Sequence, residues 1–111
     1  IHPYEGIQNI AKNKELDAVV CYNDQNAMGV IRALEALDLK IPDDVSVTGY
    51  DNFYMANQSD FRLTSIAHPQ EKLGEMAAEL LLDLVVNGEN SEKQKIMIEP
   101  ELVEGTSCKR R

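Results

Sequence analysis

Three short apolar segments of this 111-residue chain end in side chains that can bind hydroxyl groups. Asn23 and Asp24 follow the first segment, Asp51 and Asn52 follow the second, and His68 follows the third. A carboxylate accepts hydrogen bonds and an amide both accepts and donates them, so these groups suit a polyhydroxylated ligand. A charged acceptor also discriminates against analogues that lack the hydroxyl. The pattern therefore predicts a binding site for a sugar-like molecule.

Each of these side chains also has a structural explanation. Asn23 or Asp24 precedes an amphipathic segment and would cap a helix by accepting from first-turn N–H groups. Capping by one residue of the pair leaves the other free to face outward. Asp51 and Asn52 are common turn residues, and His68 before Pro69, taken alone, is favoured as the entry to a helix rather than as a ligand. Recurrence at three segment ends favours the ligand-binding interpretation.

The segments that carry these residues predict an α/β fold. Hydrophobic periodicity predicts helices over residues 4–13, 24–37 and 69–87. Strands are predicted over residues 18–22, 45–50, 63–67, 95–99 and 101–104, and residues 53–61 are predicted to be irregular or weakly helical. The unbroken apolar run at 18–22 is typical of a strand covered on both faces. Strands separated by helices imply a mostly parallel sheet, and α/β proteins bind ligands at the carboxyl ends of such strands.

Composition argues against several function classes. The formal net charge is −8, from 19 acidic and 11 basic side chains, which disfavours nucleic-acid binding by the chain itself. The basic cluster Lys109–Arg111 is interpreted as a solvated terminus. Aromatic content is 5% with no Trp, which argues against stacking platforms. The longest apolar run is too short for a membrane span.

The sequence contains no familiar catalytic motif. Nucleophile-elbow, P-loop, dinucleotide-binding and zinc-protease patterns are missing, so we expect no enzyme activity, no catalytic residue and no cofactor. Cys21 and Cys108 have neither CxxC nor His spacing, which predicts reduced thiols of a cytoplasmic protein and no metal site. No signal peptide is visible, although the chain begins at Ile1 rather than Met.

Three blocks of the sequence together resemble the effector-binding domain of transcription regulators of the lactose-repressor/galactose-repressor (LacI/GalR) type. In chain order they read AVVCYNDQNAMGVIRALEALDLKIPDDVSVTGYDN, LTSIAHPQEKLGEMAAELLLDLV and IEPELVEGTSC. His68-Pro69 and residues 99–103 are most similar to arabinose-repressor-like members. The resemblance extends from about Asp17 to Cys108.

This resemblance implies a fold like that of periplasmic sugar-binding proteins, in which two α/β lobes close on a ligand. The chain would be a single fragment, 1–111, of such a domain and would contain mostly the C-terminal lobe. Residues 17–66 would form that lobe's core, and residues 69–99 would belong to the N-terminal lobe. By the same resemblance, Asn23 and Asp51 bind sugar, and His68 stands where the family often has Gln. Asp24 belongs to the same Asn-Asp motif.

The implied function is that of a sugar-responsive transcription regulator acting as a homodimer. The helix at 25–37 and the segment at 52–61 would supply much of the dimer interface. DNA would be bound only through an upstream domain that this chain lacks, and no membrane is involved. Because half of the sugar site is missing, we expect the fragment alone to bind sugar weakly or not at all. We also expect the apolar stripe of the third helix to pack on another copy or to leave its family position.

Two other function classes remain open from the sequence. A periplasmic sugar-binding protein of a transport system has looser versions of the same motifs. An α/β enzyme fragment, such as part of a sugar isomerase or kinase, would share the fold class but has no supporting motif here.

Overall fold

A computed structural model describes residues 3–13, 15–53, 57–58 and 61–111. The chain divides into two compact units. The first comprises Ile1–Ala67 with Glu101–Arg111, and the second comprises His68–Pro100. The assignment of residues 17–66 and 69–99 to different lobes of a larger domain stays a prediction.

Helices and strands alternate along the chain. The helices are α1 (Pro3–Asn13), α2 (Asp24–Glu35) and α3 (Gln70–Asn87), and a 3₁₀ turn (Gly88–Asn90) follows α3. The strands are β1 (Ala18–Val20), β2 (Ser46–Thr48), β3 (Asn57–Gln58), β4 (Phe61–Arg62), β5 (Ser65–Ala67) and β6 (Glu101–Val103). The predicted α/β class is confirmed.

The first unit contains parallel strands whose carboxyl ends share one edge. β1 pairs with β2 in parallel, with Val19 opposite Val47. A parallel bridge between Thr48 and Thr64 links β2 to the segment that enters β5. β6 then pairs with β5 in the antiparallel direction. The first three apolar segments therefore end on the same side of the sheet, as predicted.

The core of the first unit lies between α1, α2 and the sheet. Its fully or nearly fully buried side chains are Ile7, Ala27, Val30, Ile31, Ala33, Leu34, Val45, Val47 and Leu63. Most of them come from α2, where apolar residues recur three and four positions apart and so face one side of the helix.

β1 differs from the prediction because only one of its faces is covered. Val19 and Cys21 pack against the core, whereas the side chain of Val20 is 84% exposed and that of Tyr22 is 86% exposed. Successive side chains of a strand point to opposite faces, so this alternation marks one packed face and one open face. The apolar run alone does not show which faces are covered.

A further prediction about local structure is wrong, and another is wrong for those of its residues that form strands. Residues 95–99 form no strand, because no described residue pairs with them and an extended segment without a ladder is not a sheet. Within the segment 53–61, Asn57–Gln58 and Phe61–Arg62 form a short antiparallel pair and no described residue is helical. Residues 54–56 and 59–60 lie outside the described residues.

The second unit consists mainly of α3, which buries none of its residues. Its apolar side chains are open to solvent, with Leu81 61% and Val86 77% exposed. Gly88 directly follows α3 and has a positive φ of 53°, which glycine adopts more readily than residues with a side chain. No described helix is both long and apolar enough to cross a membrane.

The C-terminal segment is anchored in the first unit by the buried Ser107, which is 0% exposed. Its hydroxyl accepts a hydrogen bond from the Thr64 N–H at 2.8 Å and donates one to the Val47 carbonyl at 2.6 Å. Gly105 approaches the Arg62 carbonyl so closely that a Cβ atom would collide with it. Backbone contact and a buried hydroxyl thus hold this segment across the sheet.

Candidate functional site

Asn23 links the end of β1 to the start of α2. Its φ of −153° keeps the backbone extended, and its side-chain oxygen accepts the N–H of Asn26 at 2.8 Å. This is the N-cap bond that its residue type predicts. The side chain is only half-buried, and the atom that makes this bond is its oxygen, not its nitrogen. Asn23 can therefore cap the helix with its oxygen and still offer amide hydrogens to a ligand.

Asp51 lies at the same edge of the sheet, after β2. The Asp24 N–H donates to the Tyr50 carbonyl at 2.9 Å, which joins the segment after β1 to the segment after β2. Asp51 has a φ of 101° and Asn52 a φ of 55°, a backbone region that Asp and Asn tolerate better than most residues. The Asp51 side chain is exposed. The two principal sugar-binding candidates thus adjoin the same backbone junction, and their role in binding stays a prediction.

Asp24 is placed differently from our expectation for the second member of the pair. It does not face outward when Asn23 caps the helix, because its side chain is 1% exposed. One carboxylate oxygen accepts the Ser65 hydroxyl at 2.6 Å, and the other accepts the Phe53 N–H at 2.6 Å. These bonds give Asp24 a structural role, and its predicted contact with sugar stays untested.

His68 is the first residue of the second unit. Its imidazole is half-buried, and its Nε2 lies 3.4 Å from the Gln70 side-chain amide nitrogen, which can donate to it. The contact belongs to the approach to α3. A ligand role for His68 stays a prediction.

Two residues of this region were not singled out from the sequence. Ser65 is the first residue of β5, and Gly49 directly follows β2. A Cβ atom at Gly49 would collide with the Asp24 carboxylate and lie 2.8 Å from a Leu63 methyl carbon. A glycine inside a strand often marks such a close approach, and this signal was available in the sequence.

The chemistry available at this edge is hydrogen bonding. Amide, carboxylate and backbone groups are present, whereas the described residues contain no cluster of His, Cys, Asp or Glu suited to a metal ion. Cys21, which follows β1 and packs against the core, is a poor nucleophile, because burial raises the pKa of its thiol from 9.0 to about 11. The arrangement is suited to holding hydroxyl groups.

The chain matches known proteins over nearly its whole length. The family described as "Periplasmic binding protein-like domain" matches residues 3–108. The HTH-type transcriptional repressor PurR of Photorhabdus laumondii is 41% identical over 94% of this chain and 30% of its own length. The arabinose metabolism transcriptional repressor of Geobacillus stearothermophilus is 34% identical over 88% of this chain and 27% of its own.

A solved structure is similar in both fold and sequence. The LacI family transcriptional regulator of Enterococcus faecium, crystallised with bound ribose, superposes with a TM-score of 0.83 at 32% identity. The match covers 96% of this chain and 39% of that one. The chain thus spans about a third of the length of these relatives.

These similarities confirm the predicted resemblance to LacI/GalR-type regulators and the predicted periplasmic-binding-protein-like fold. The relatives named above are regulators, not enzymes, and this favours the regulator interpretation over the transport alternative. The arabinose-like assignment is supported by the arabinose repressor named above, which is 34% identical to this chain, whereas PurR is 41% identical. The chain belongs to the periplasmic binding protein-like domain family.

Proposed function

We propose that this chain is part of the effector-binding and dimerisation region of a sugar-responsive transcription regulator. The single observation that carries the proposal is the backbone bond from Asp24 to Tyr50, which brings the segments after β1 and β2 together. Asn23 and Asp51 flank that bond. One offers an amide and the other a carboxylate, the two groups best suited to sugar hydroxyls.

The relatives support this proposal by what their names state. One is a repressor of arabinose metabolism, and another regulator was crystallised with ribose. Asn23 and Asp51 are proposed to hold sugar hydroxyls, with His68 as a further contact from the segment that leads into α3. No covalent bond is made or broken, so the protein is proposed not to be an enzyme and to need no cofactor.

The remaining parts of the proposal concern the complete protein. Residues 17–66 form the core of the C-terminal lobe and residues 69–99 belong to the N-terminal lobe. The protein works in the cytoplasm as a homodimer and binds DNA through a separate upstream domain. Sugar favours one arrangement of the two lobes and thereby changes how the dimer engages its operator.

The test is sugar binding by the complete protein that contains this chain. Thermal shifts with arabinose, ribose, lactose and cellobiose identify the effector, because a ligand at 100 times its Kd stabilises a protein by about 2.7 kcal/mol. Calorimetry with the best sugar then compares Asp51→Asn with the parent. A hydrogen bond to a charged group contributes about 1.5–3 kcal/mol, so the variant should bind about tenfold to a hundredfold more weakly.

Asp38→Asn is a matched control for this experiment. Asp38 is also an exposed aspartate with positive φ, at 59°, but it follows α2 and not a strand of the sheet. The same chemical change at Asp38 should leave sugar affinity unaltered. No shift with any of the four sugars, or equal losses at the two positions, would refute the proposed sugar site.

A further inference from the structure

We propose that Asp24 is a positioning residue of the sugar site, which together with Ser65 fixes the backbone that carries Asp51 and does not itself contact the ligand. This inference rests on the proposed function, since it gives Asn23 and Asp51 the contacts with sugar. Within the Asn-Asp pair, Asn23 then contacts the ligand, whereas Asp24 points into the protein and supports the backbone.

The first support is a set of three successive backbone amides, each with a defined acceptor. The Asp51 N–H donates to the Ile66 carbonyl at 2.9 Å. The Asn52 N–H donates to the Ser65 hydroxyl at 3.0 Å, and the Phe53 N–H donates to the Asp24 carboxylate at 2.6 Å. Two of these three bonds depend on side chains of the Asp24–Ser65 pair.

The pair is itself joined by a hydrogen bond. The Ser65 hydroxyl accepts from Asn52 and donates to the second oxygen of the Asp24 carboxylate at 2.6 Å. Ser65 is 1% exposed, like Asp24. A buried carboxylate that accepts two short hydrogen bonds has little freedom to turn towards a ligand, because breaking either bond would leave a buried charge poorly solvated.

The backbone that the Asp24–Ser65 pair holds has an unfavourable conformation. Asp51 and Asn52 both have positive φ, a conformation that costs non-glycine residues free energy and persists only where surrounding contacts offset that cost. The direction of the Asp51 side chain follows from this backbone conformation. Loss of the Asp24 acceptor would therefore let the Asp51 carboxylate move away from its binding position.

The residues around Asp24 leave space for its carboxylate and favour its charge. Only glycine at position 49 leaves room for it, since a Cβ atom there would meet the carboxylate and the Leu63 side chain. Asp24 is the first residue of α2, where unpaired N–H groups favour a negative charge. The space beside Gly49, the N-terminus of α2 and the two hydrogen-bond donors therefore all stabilise the Asp24 carboxylate in its buried position.

Asp24→Asn and Ser65→Ala in the complete protein test the inference. Both should weaken sugar binding in calorimetry by about tenfold or more at a temperature where all variants remain folded. Both should also speed hydrogen exchange of the peptide that covers Asp51–Phe53. Thr64→Val is the matched control. It removes a neighbouring buried hydroxyl, which accepts the Gly105 N–H at 3.0 Å, and lies outside the Asp24–Ser65 pair.

The outcomes separate this inference from the proposed function. Parent-like sugar affinity in Asp24→Asn overturns the positioning role, and so does an equal loss of affinity in Thr64→Val, since general destabilisation would then explain both. If the parent protein binds no sugar, the proposed function fails. The exchange experiment then still decides the positioning role: parent-like exchange at residues 51–53 in Asp24→Asn overturns it, and faster exchange confined to that peptide supports it.

Discussion

Replacing Ser107 with alanine removes one hydroxyl group but should destabilise this chain substantially. The hydroxyl is 0% exposed and serves the Thr64 N–H and the Val47 carbonyl at the same time. Each buried group left without a partner costs about 1–3 kcal/mol. The Val47 carbonyl keeps a weaker contact with the Cys108 thiol at 3.4 Å, so its loss is the smaller one. We expect a total destabilisation of about 2–4 kcal/mol.

Urea unfolding followed by circular dichroism measures this loss. For a slope of about 2 kcal/mol/M, the expected destabilisation lowers the midpoint by about 1–2 M. Thr106→Ala is the matched control, because the Thr106 hydroxyl also bonds the backbone, accepting the Arg62 N–H at 2.9 Å, but its side chain is exposed. That variant should lose less than about 1 kcal/mol.

The comparison of the two variants decides the argument. If Ser107→Ala loses no more stability than Thr106→Ala, burial of the hydroxyl does not anchor the C-terminal segment and the reasoning is wrong. A Ser107→Ala chain that is already unfolded without urea, while the parent unfolds cooperatively, would exceed the expected effect in the same direction.

Two other predictions concern the core and the thiols. In a Cys108→Ser background, Cys21 should react with iodoacetamide at pH 8 about tenfold more slowly when folded than in urea. Burial raises its pKa to about 11, and the greater intrinsic nucleophilicity of a higher-pKa thiolate offsets part of the hundredfold lower thiolate fraction. Equal alkylation rates in the folded and unfolded chains would contradict the burial of Cys21. The stability linked to this thiol is present below pH 9.0 and is lost as the pH rises through about 11. Unfolding measurements on Cys21→Ala should therefore show a smaller loss of stability over this pH range. Leu34→Ala, at a 0% exposed position, should destabilise the chain by about 2–5 kcal/mol in thermal unfolding, whereas Leu82→Ala, at a 62% exposed position, should change little.

Local periodicity predicted the helices well because a helical stripe depends on residues close in sequence. Ala27, Ile31 and Leu34 recur on one side of α2, and all three are buried. The same pattern in α3 predicted the helix but not its surroundings, since Leu81 is 61% exposed. An apolar stripe shows that a helix has a face to cover and leaves open which surface covers it.

A segment forms a strand only if another segment pairs with it, and local residue types do not identify that partner. Residues 18–20 became β1 because residues 46–48 pair with them. The apolar residues near Met97 lack a described partner and form no strand, although their residue types favour one. Met97 is 82% exposed, so burial did not compensate for the missing ladder.

The polar edge of the sheet was predictable in outline and not in detail. Residue types at the segment ends placed Asn23 and Asp51 near a common edge. They did not show which of Asn23 and Asp24 faces inward, since both are good caps. That choice depends on contacts distant in sequence, namely the space left by Gly49 and the hydroxyl of Ser65.

The antiparallel pairing of β5 with β6 has a consequence for how the polypeptide is assembled. Ala67 lies opposite Glu101, so the points where the chain leaves and re-enters the first unit are neighbours about 5 Å apart. Residues His68 to Pro100 therefore form an insertion between two strands that pair with each other. Replacing that insertion with a two-residue Asn-Gly hairpin turn would join β5 and β6 directly. Deleting the second unit in this way would leave the order of the strands in the first unit unchanged.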